Sequence, residues 1–166
     1  MSLTAVLAAI ALAAAPSVSP PPSASATQAA AHADAVTFTR RTIPDGDVVV
    51  EVGVWRPAHA TAEARLPLVV ISHGNGGDYR GHDDTARALA AAGFIVASLT
   101  HTGDNWRDQS RATDVALRPR QLSLLIEAMV REPDVDPDRI GAFGFSAGAL
   151  TVLTAAGAEP DLARVA

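Results

Sequence analysis

The sequence feature that most constrains the fold is a serine between two glycines, in the pentapeptide Gly144-Phe145-Ser146-Ala147-Gly148. The residues before it, Ile140 to Phe145, are apolar enough for a buried parallel strand, and Ala147 to Ala156 are strong helix formers without proline. This order of strand, sharp turn and helix is typical of a nucleophile elbow, in which the serine backbone is strained and the flanking glycines relieve crowding. The pattern predicts that the hydroxyl of Ser146 projects from the carboxyl end of a sheet.

A glycine-rich loop after the first buried strand supplies the second part of this predicted site. The predominantly apolar run from Leu66 to Ser72 ends in His73-Gly74-Asn75-Gly76-Gly77. Acyl transfer at a serine needs two N–H donors for the developing oxyanion. We expect these donors to be the amides of Ala147 and Asn75, because the loop glycines let the backbone turn its amides inward. The alternatives are a serine that only caps the helix and a plain glycine turn.

The order of apolar segments along the chain predicts an α/β domain. Two segments with alternating polarity form an antiparallel hairpin with a turn at 43–47, and continuously apolar strands then alternate with helical segments. We therefore expect a mostly parallel sheet with an antiparallel amino-terminal hairpin. The predicted strands are Val36–Arg40, Val48–Trp55, Leu66–Ser72, Phe94–Leu99 and Ile140–Phe145, and the predicted helices are Asp84–Ala92, Pro119–Arg131 and Ala147–Ala156.

Three loops meet at the carboxyl edge of such a sheet, where ligands bind in open α/β folds. They are His73 to Asp78, Thr100 to Trp106 and the turn around Ser146. Two hypotheses stay open for His101, which lies in the second loop. Either it is the base that takes the proton of Ser146, or it packs the loops together. The residues expected to border the substrate pocket are His73, Gly76, His101, Trp106 and Phe145.

Composition excludes several classes of partner and cofactor. The chain of 166 residues has a net charge of -5, its basic residues are all Arg, and acids are interspersed among them, so we expect no nucleic acid partner. It has no Cys and hence no thiolate metal site. The loop glycines lack the spacing of a dinucleotide site, and the acids and histidines near Asp78 match no metal-ligand spacing, so we expect neither cofactor nor metal.

The amino terminus has the order of a secretory signal. Ala5 to Ala15 is apolar but too short to span a bilayer, and a proline-rich breaker and small residues around Ala24 to Ala26 follow it. We expect residues 1–26 to be a signal peptide, with cleavage as late as residue 35, and residues 27–35 to be a disordered linker. A secreted or periplasmic protein without a stable membrane anchor follows from this interpretation; a disordered extension is the alternative.

Four segments carry a resemblance in combination: Leu68–Gly77, Ser98–Asn105, Arg118-Pro119-Arg120 before a helix, and Asp138–Gly148. Together they resemble the α/β-hydrolase superfamily, and most closely its predicted dienelactone hydrolase group, which is related to the platelet-activating-factor acetylhydrolases. The resemblance covers about Val36 to Gly157. It implies an α/β-hydrolase fold and a carboxylic ester hydrolase, with Ser146 as nucleophile and the amides of Asn75 and Ala147 as oxyanion donors.

The same resemblance implies that the triad acid and histidine follow the nucleophile helix, on later strands. Only residues 158–166 follow that helix, and no histidine lies beyond His101. We therefore expect residues 36–166 to be an incomplete hydrolase domain, truncated after the nucleophile helix, that acts on a small-molecule ester and is inactive alone. The alternative is a non-catalytic remnant or a partner-binding module of the same fold.

Truncation at this point has a structural consequence. The strand from Ile140 to Phe145 would be an open, apolar edge of the sheet, and one face of the helix after Ser146 would be uncovered. We expect such an edge to bind a complementing carboxyl-terminal segment or to cause self-association.

Overall fold

The computed structural model of the protein describes residues 35–59 and 65–160. The predicted signal peptide lies outside these residues, as does the predicted linker except for residue 35. The described residues form five strands and three helices. They are β1 Val36–Asp45, β2 Val48–Pro57, β3 Leu66–Ser72, α1 Asp83–Ala91, β4 Ile95–Leu99, α2 Leu117–Met129, β5 Val135–Gly144 and α3 Ala147–Ala155.

The five strands form one mixed sheet in the order β1-β2-β4-β3-β5. The pairs β1/β2 and β2/β4 are antiparallel, whereas β4/β3 and β3/β5 are parallel. The parallel strands β3 and β4 have predominantly apolar runs, and all five residues of β4 are buried. The apolar run of β5 is confined to 140–143, after four polar or proline residues. The predicted α/β sheet with an amino-terminal antiparallel hairpin is confirmed.

Helices cover both faces of this sheet, and a separate hydrophobic core lies on each face. On one face, Leu122, Leu125 and Met129 of α2 pack against Val70 and other strand residues. On the other face, Ala86 and Ala90 of α1 pack in a cluster with Trp55, Ile71 and Val96. The small residues of α1 let the helix approach the large indole of Trp55, whose Nε1 donates to Asp83 at 3.0 Å.

Two predicted boundaries differ from the observed ones by more than two residues. The hairpin turn is only Gly46-Asp47, because β1 continues through Pro44 to Asp45 while pairing with β2. Pro44 is tolerated there because β1 is an edge strand in the described sheet, where a missing N–H removes little pairing. Strand β5 begins at Val135, before the predicted Ile140, since Val135 pairs with Leu66 ahead of an irregularity in the register.

The nucleophile strand lies at the edge of the sheet that the described residues form. Strand β5 pairs with β3 alone, and its side chains Ile140 and Phe143 are 39% and 37% exposed. Helix α3 exposes Leu150 and Leu153 next to it. Among residues 35–59 and 65–160, β5 is therefore an apolar edge strand and α3 has an uncovered apolar face, as predicted.

Candidate active site

Ser146 occupies the sharp turn between β5 and α3, with φ 53° and ψ -120°. It is the one non-glycine residue with positive φ in the described parts of the chain. The turn brings backbone so close that a Cβ on Gly144 would overlap the carbonyl of Gly148, and a Cβ on Gly148 would overlap that of Ser72. The two glycines of the motif are thus required by close backbone approach, and the strained serine has the geometry predicted for an elbow.

The glycine-rich loop after β3 lies directly against this turn. A Cβ placed on Gly74 would lie 3.3 Å from the ring of Phe145 and 3.6 Å from Cβ of Ser146. Within the turn, the amides of Gly148 and Ala149 donate to Phe145 and Ser146 carbonyls at 2.8 and 2.9 Å. The amide of Ala147 is at the first position of α3, where helix geometry provides no intrahelical acceptor.

Asp104, in the loop after β4, holds the glycine-rich loop through one carboxylate oxygen. Its Oδ1 accepts from Nδ2 of Asn75 at 3.1 Å and lies 3.4 Å from the amide of Gly76. Its Oδ2 accepts from Nη1 of Arg118 at 3.0 Å. Gly76 has φ +67°, a left-handed conformation that glycine adopts without steric penalty.

Arg118 reaches this loop from the first turn of α2. Besides its ion pair with Asp104, its Nη2 donates to the carbonyl of His73 and lies 3.4 Å from Oγ of Ser72. The side chain is only 7% exposed. Burial lowers the pKa of the Arg118 guanidinium, and the Asp104 carboxylate opposes this shift.

The two predicted pocket histidines lie inside the protein. His73 and His101 are 1% and 0% exposed, with ring centroids 5.0 Å apart. Nε2 of His73 accepts from the amide of His101 at 3.1 Å, so its proton is on Nδ1, 2.5 Å from the carbonyl of Gly74. The His73 ring thus bonds to the backbone of both loops, and both rings are enclosed, which differs from the position predicted for them at the border of a substrate pocket.

Hydrogen bonds use both ring nitrogens of His101. Its Nδ1 is 3.1 Å from Oε1 of Gln121, whose Nε2 donates to Asp45, so Nδ1 carries the proton. Nε2 of the same ring is 2.9 Å from Oγ of Ser72, which donates to it. These bonds favour a histidine that packs loops over one that takes the proton of Ser146.

Burial keeps both rings neutral. Desolvation lowers the pKa of His73 to about 4, with the nearby Arg118 charge acting in the same direction. Burial also lowers the pKa of His101 well below its ordinary value, and the charge of Arg118 again contributes. Neutral rings are the ones that can accept the bonds just described.

A cavity of about 90 Å³ opens beside the elbow. Its lining includes Asn75, Ala147, Leu150 and Val115, together with the Asp104 and Arg118 pair. Asn75 and Ala147, the residues of the two predicted oxyanion donors, therefore border one cavity together with apolar side chains of α3 and of the loop before α2.

Two other predicted pocket residues, Phe145 and Trp106, are exposed. Phe145 is 60% exposed next to His82, and Trp106 is 61% exposed with the Arg107 guanidinium 4.8 Å from its ring centroid. Within the described parts of the chain, no group of three or more acidic and histidine side chains is placed to hold a metal ion. No helix of those parts is long and apolar enough to cross a membrane.

Sequence reasoning did not assign a role to Asp104, Arg118 or Gln121. Arg118 stood in a recognised segment, Arg118-Pro119-Arg120, but nothing local indicates that a helix-starting arginine points inward. Asp104 stood in the predicted site loop, and its position after a strand end was the available signal. Their partners are 14 to 76 residues away in sequence, so only the folded structure identifies the pairs.

A family model described as "Prolyl oligopeptidase family" matches residues 82–166, just over half of the chain. The curated protein named "Putative esterase NocK", from Nocardia uniformis subsp. tsuyamanensis, is 31% identical over 137 residues. That alignment covers 78% of this chain and 40% of the relative.

Solved structures of α/β-hydrolases have the same fold. A dienelactone hydrolase-like promiscuous phosphotriesterase, P91 from metagenomic libraries, matches with a TM-score of 0.64 at 24% identity, covering 74% of this chain and 54% of that one. A ferulic acid esterase from Streptomyces cinnamoneus matches with a TM-score of 0.64 at 17% identity, covering 74% and 55%. The chain thus spans about half the length of these structures. The predicted α/β-hydrolase superfamily is confirmed.

Proposed function

This chain belongs to the prolyl oligopeptidase family, and we propose that it is the nucleophile-bearing part of a serine-dependent carboxylic ester hydrolase. The observation that carries the proposal is the strained backbone of Ser146 between β5 and α3, next to the loop of Asn75. Strain of this kind persists where the surrounding structure enforces it, and it is typical of nucleophile elbows. The similarity to a protein named as an esterase supports an ester substrate.

In the proposed reaction, Oγ of Ser146 attacks the ester carbonyl carbon as its proton passes to a base. The carbonyl oxygen becomes an oxyanion, which the amides of Ala147 and Asn75 bind. Collapse of this intermediate breaks the bond to the alcohol, which leaves with a proton, and water then releases the acid from the acyl-serine.

We assign the base to a polypeptide segment that adds to the sheet at β5. His101 is unsuited to this role, because it is enclosed and its ring nitrogens are bonded to Ser72 and Gln121. Apolar grooves of about 440 and 330 Å³ flank Ile140 on the two sides of β5, as an added strand with side chains on both faces would need. Without this segment, we propose, the chain has little activity.

We further propose that the substrate is a small, uncharged ester. The cavity beside Ala147 has apolar walls from Leu150 and Val115, and its one arginine, Arg118, is paired with Asp104. A strongly anionic substrate would meet no unpaired cation there. Trp106 and Phe145 offer exposed aromatic surface for an aryl or alkyl group.

The test is covalent labelling of Ser146 with a fluorophosphonate probe, in the purified chain and in the chain mixed with the carboxyl-terminal half of a related hydrolase. We expect labelling that requires Ser146 and is faster in the mixture. Ser146→Ala should abolish it, and Ser123→Ala, on an exposed position of α2, should not. A folded wild type that stays unlabelled in both samples would favour the alternative, a non-catalytic or partner-binding module.

The family match also favours a second candidate, peptide hydrolysis, which uses the same nucleophile and oxyanion donors. An ester and an anilide with the same acyl group separate the two activities. We expect the mixture, without probe, to hydrolyse the ester faster than the anilide by more than the difference in their intrinsic reactivity. Equal or better relative activity on the anilide would assign the site to a peptidase.

A further inference from the structure

Arg118 is a buried charge that the proposed reaction does not use. Its side chain is 7% exposed and that of its partner Asp104 is 2% exposed. Removing an ion pair from water is unfavourable unless hydrogen bonds satisfy both groups, and such a pair often contributes little to stability. A buried pair next to a candidate active site therefore calls for an explanation other than stability.

The two side chains contact the glycine-rich loop at both ends. Arg118 donates to the carbonyl of His73, where the loop leaves β3. Asp104 accepts from the side chain of Asn75 at 3.1 Å and is 3.4 Å from the amide of Gly76, past the turn. The 3.0 Å bond between Arg118 and Asp104 connects these two attachments.

Between these attachments, the carbonyl of Gly74 bonds to the His73 ring and to the amide of Gly77, whereas the bonds described for Asn75 and Gly76 are those to Asp104. Gly74, Gly76 and Gly77 allow many backbone conformations, and Asn75 itself is exposed, so burial of its side chain does not fix it. An oxyanion donor must lie within a few tenths of an ångström of its productive position. The orientation of the Asn75 amide thus depends on the groups that hold its neighbours.

We propose that Arg118 and Asp104 are positioning residues that hold the Asn75 amide toward the oxyanion above Ser146. This role rests on the proposed function. The pairing also has an electrostatic consequence, because both side chains border the cavity that Ala147 lines. An unpaired Asp104 carboxylate would repel a developing oxyanion, whereas the pair is neutral overall.

Two near-isosteric variants test the proposal. Asp104→Asn replaces one acceptor oxygen with a donor group, so it cannot serve both Arg118 and the loop. Arg118→Lys keeps the charge but loses the fork that contacts Asp104 and His73 together. Asn75→Ala, at an exposed position, removes only the side-chain donor to Asp104 and should fold in any case. The matched control is Arg120→Lys, because Arg120 is in the same turn of α2 and pairs with Asp45 instead.

Two measurements are made on each folded variant, in the sample where wild type is labelled. The first is the kinetics of fluorophosphonate labelling, separated into probe affinity and maximal rate. We expect the maximal rate to fall about 10- to 100-fold in Asp104→Asn and Arg118→Lys, as for a displaced oxyanion donor, and less in Asn75→Ala. Probe affinity in these variants should change by less than about threefold, and so should both probe affinity and maximal rate in the control variant Arg120→Lys.

The second measurement is the hydrogen-exchange rate of the backbone amides of residues 73–78. A general loss of stability would raise exchange rates throughout the protein and not selectively in this loop. We expect faster exchange there in the three variants, with exchange in β3 and α2 unchanged. Wild-type labelling rates in the variants would overturn the positioning role while leaving the proposed function intact, even if the loop exchanged faster. An unreactive wild type would overturn the proposed function and this role with it.

Discussion

The backbone amide of His101 donates to Nε2 of His73 across 3.1 Å, and this bond joins the ends of two neighbouring parallel strands. It ties the loop after β4 to the loop that carries Asn75. The bond exists only while the His73 ring is neutral, since a protonated imidazole has no acceptor. The relative position of the two site loops is therefore sensitive to protonation.

The first prediction concerns stability and pH. Burial lowers the pKa of His73 to about 4, whereas an unfolded histidine titrates near 6.5. Between these two pKa values the unfolded state binds a proton that the folded state does not. The free energy of unfolding therefore has its full value above about pH 6.5 and decreases as the pH falls toward 4. The slope is up to about 1.4 kcal/mol per pH unit for each such histidine, and His101 is shifted in the same direction.

Urea unfolding at pH 7, 6 and 5 measures this slope. His73→Gln should lower stability at pH 7 by about 1 to 3 kcal/mol, because the amide of His101 loses its partner, and should flatten the pH dependence. His59→Gln, at an exposed position, should do neither. An unchanged slope in His73→Gln would contradict the account.

A second prediction separates two glycines near the elbow. A Cβ at position 148 would overlap the carbonyl of Ser72, whereas a Cβ at position 141 would have its nearest neighbour, Cγ2 of Val69, at 3.8 Å. Gly148→Ala should destabilise the protein by about 3 kcal/mol or more, since backbone must move, and Gly141→Ala by less than about 0.5 kcal/mol. Thermal and urea unfolding of the two variants decide this, and equal stabilities would show that the turn tolerates a methyl group.

Much of this architecture could be predicted because its signals are local. The apolar runs of β3 and β4 and the motif around Ser146 each identify an element without knowledge of its partners. The roles of His73 and His101 could not be predicted, because the exposure of each side chain depends on how loops that are distant in sequence pack together. A histidine at a strand end has the same local pattern whether it faces substrate or is enclosed by Ser72 and Gln121.

The third prediction concerns the open edge. Ile140 is 39% exposed on β5 and borders the grooves on both sides of the strand. We expect sedimentation velocity to show association of the chain that increases with concentration, since an unpaired apolar strand favours pairing with a second chain. Ile140→Lys should reduce it, and Val49→Lys, 61% exposed on β2, should not. A monodisperse wild-type monomer at high concentration would contradict this expectation.

The last prediction concerns the strain at Ser146. Its φ of 53° with ψ of -120° is a conformation that glycine adopts readily and that a side chain disfavours by about 1 to 3 kcal/mol. Ser146→Gly should therefore stabilise the fold relative to Ser146→Ala, by about 0.5 to 2 kcal/mol after the greater unfolded-state entropy of glycine is subtracted. Urea unfolding of the two variants isolates the backbone term, because both lack the hydroxyl. A Gly variant no more stable than the Ala variant would show that the turn is relaxed, and the backbone of Ser146 would then no longer support a nucleophile elbow.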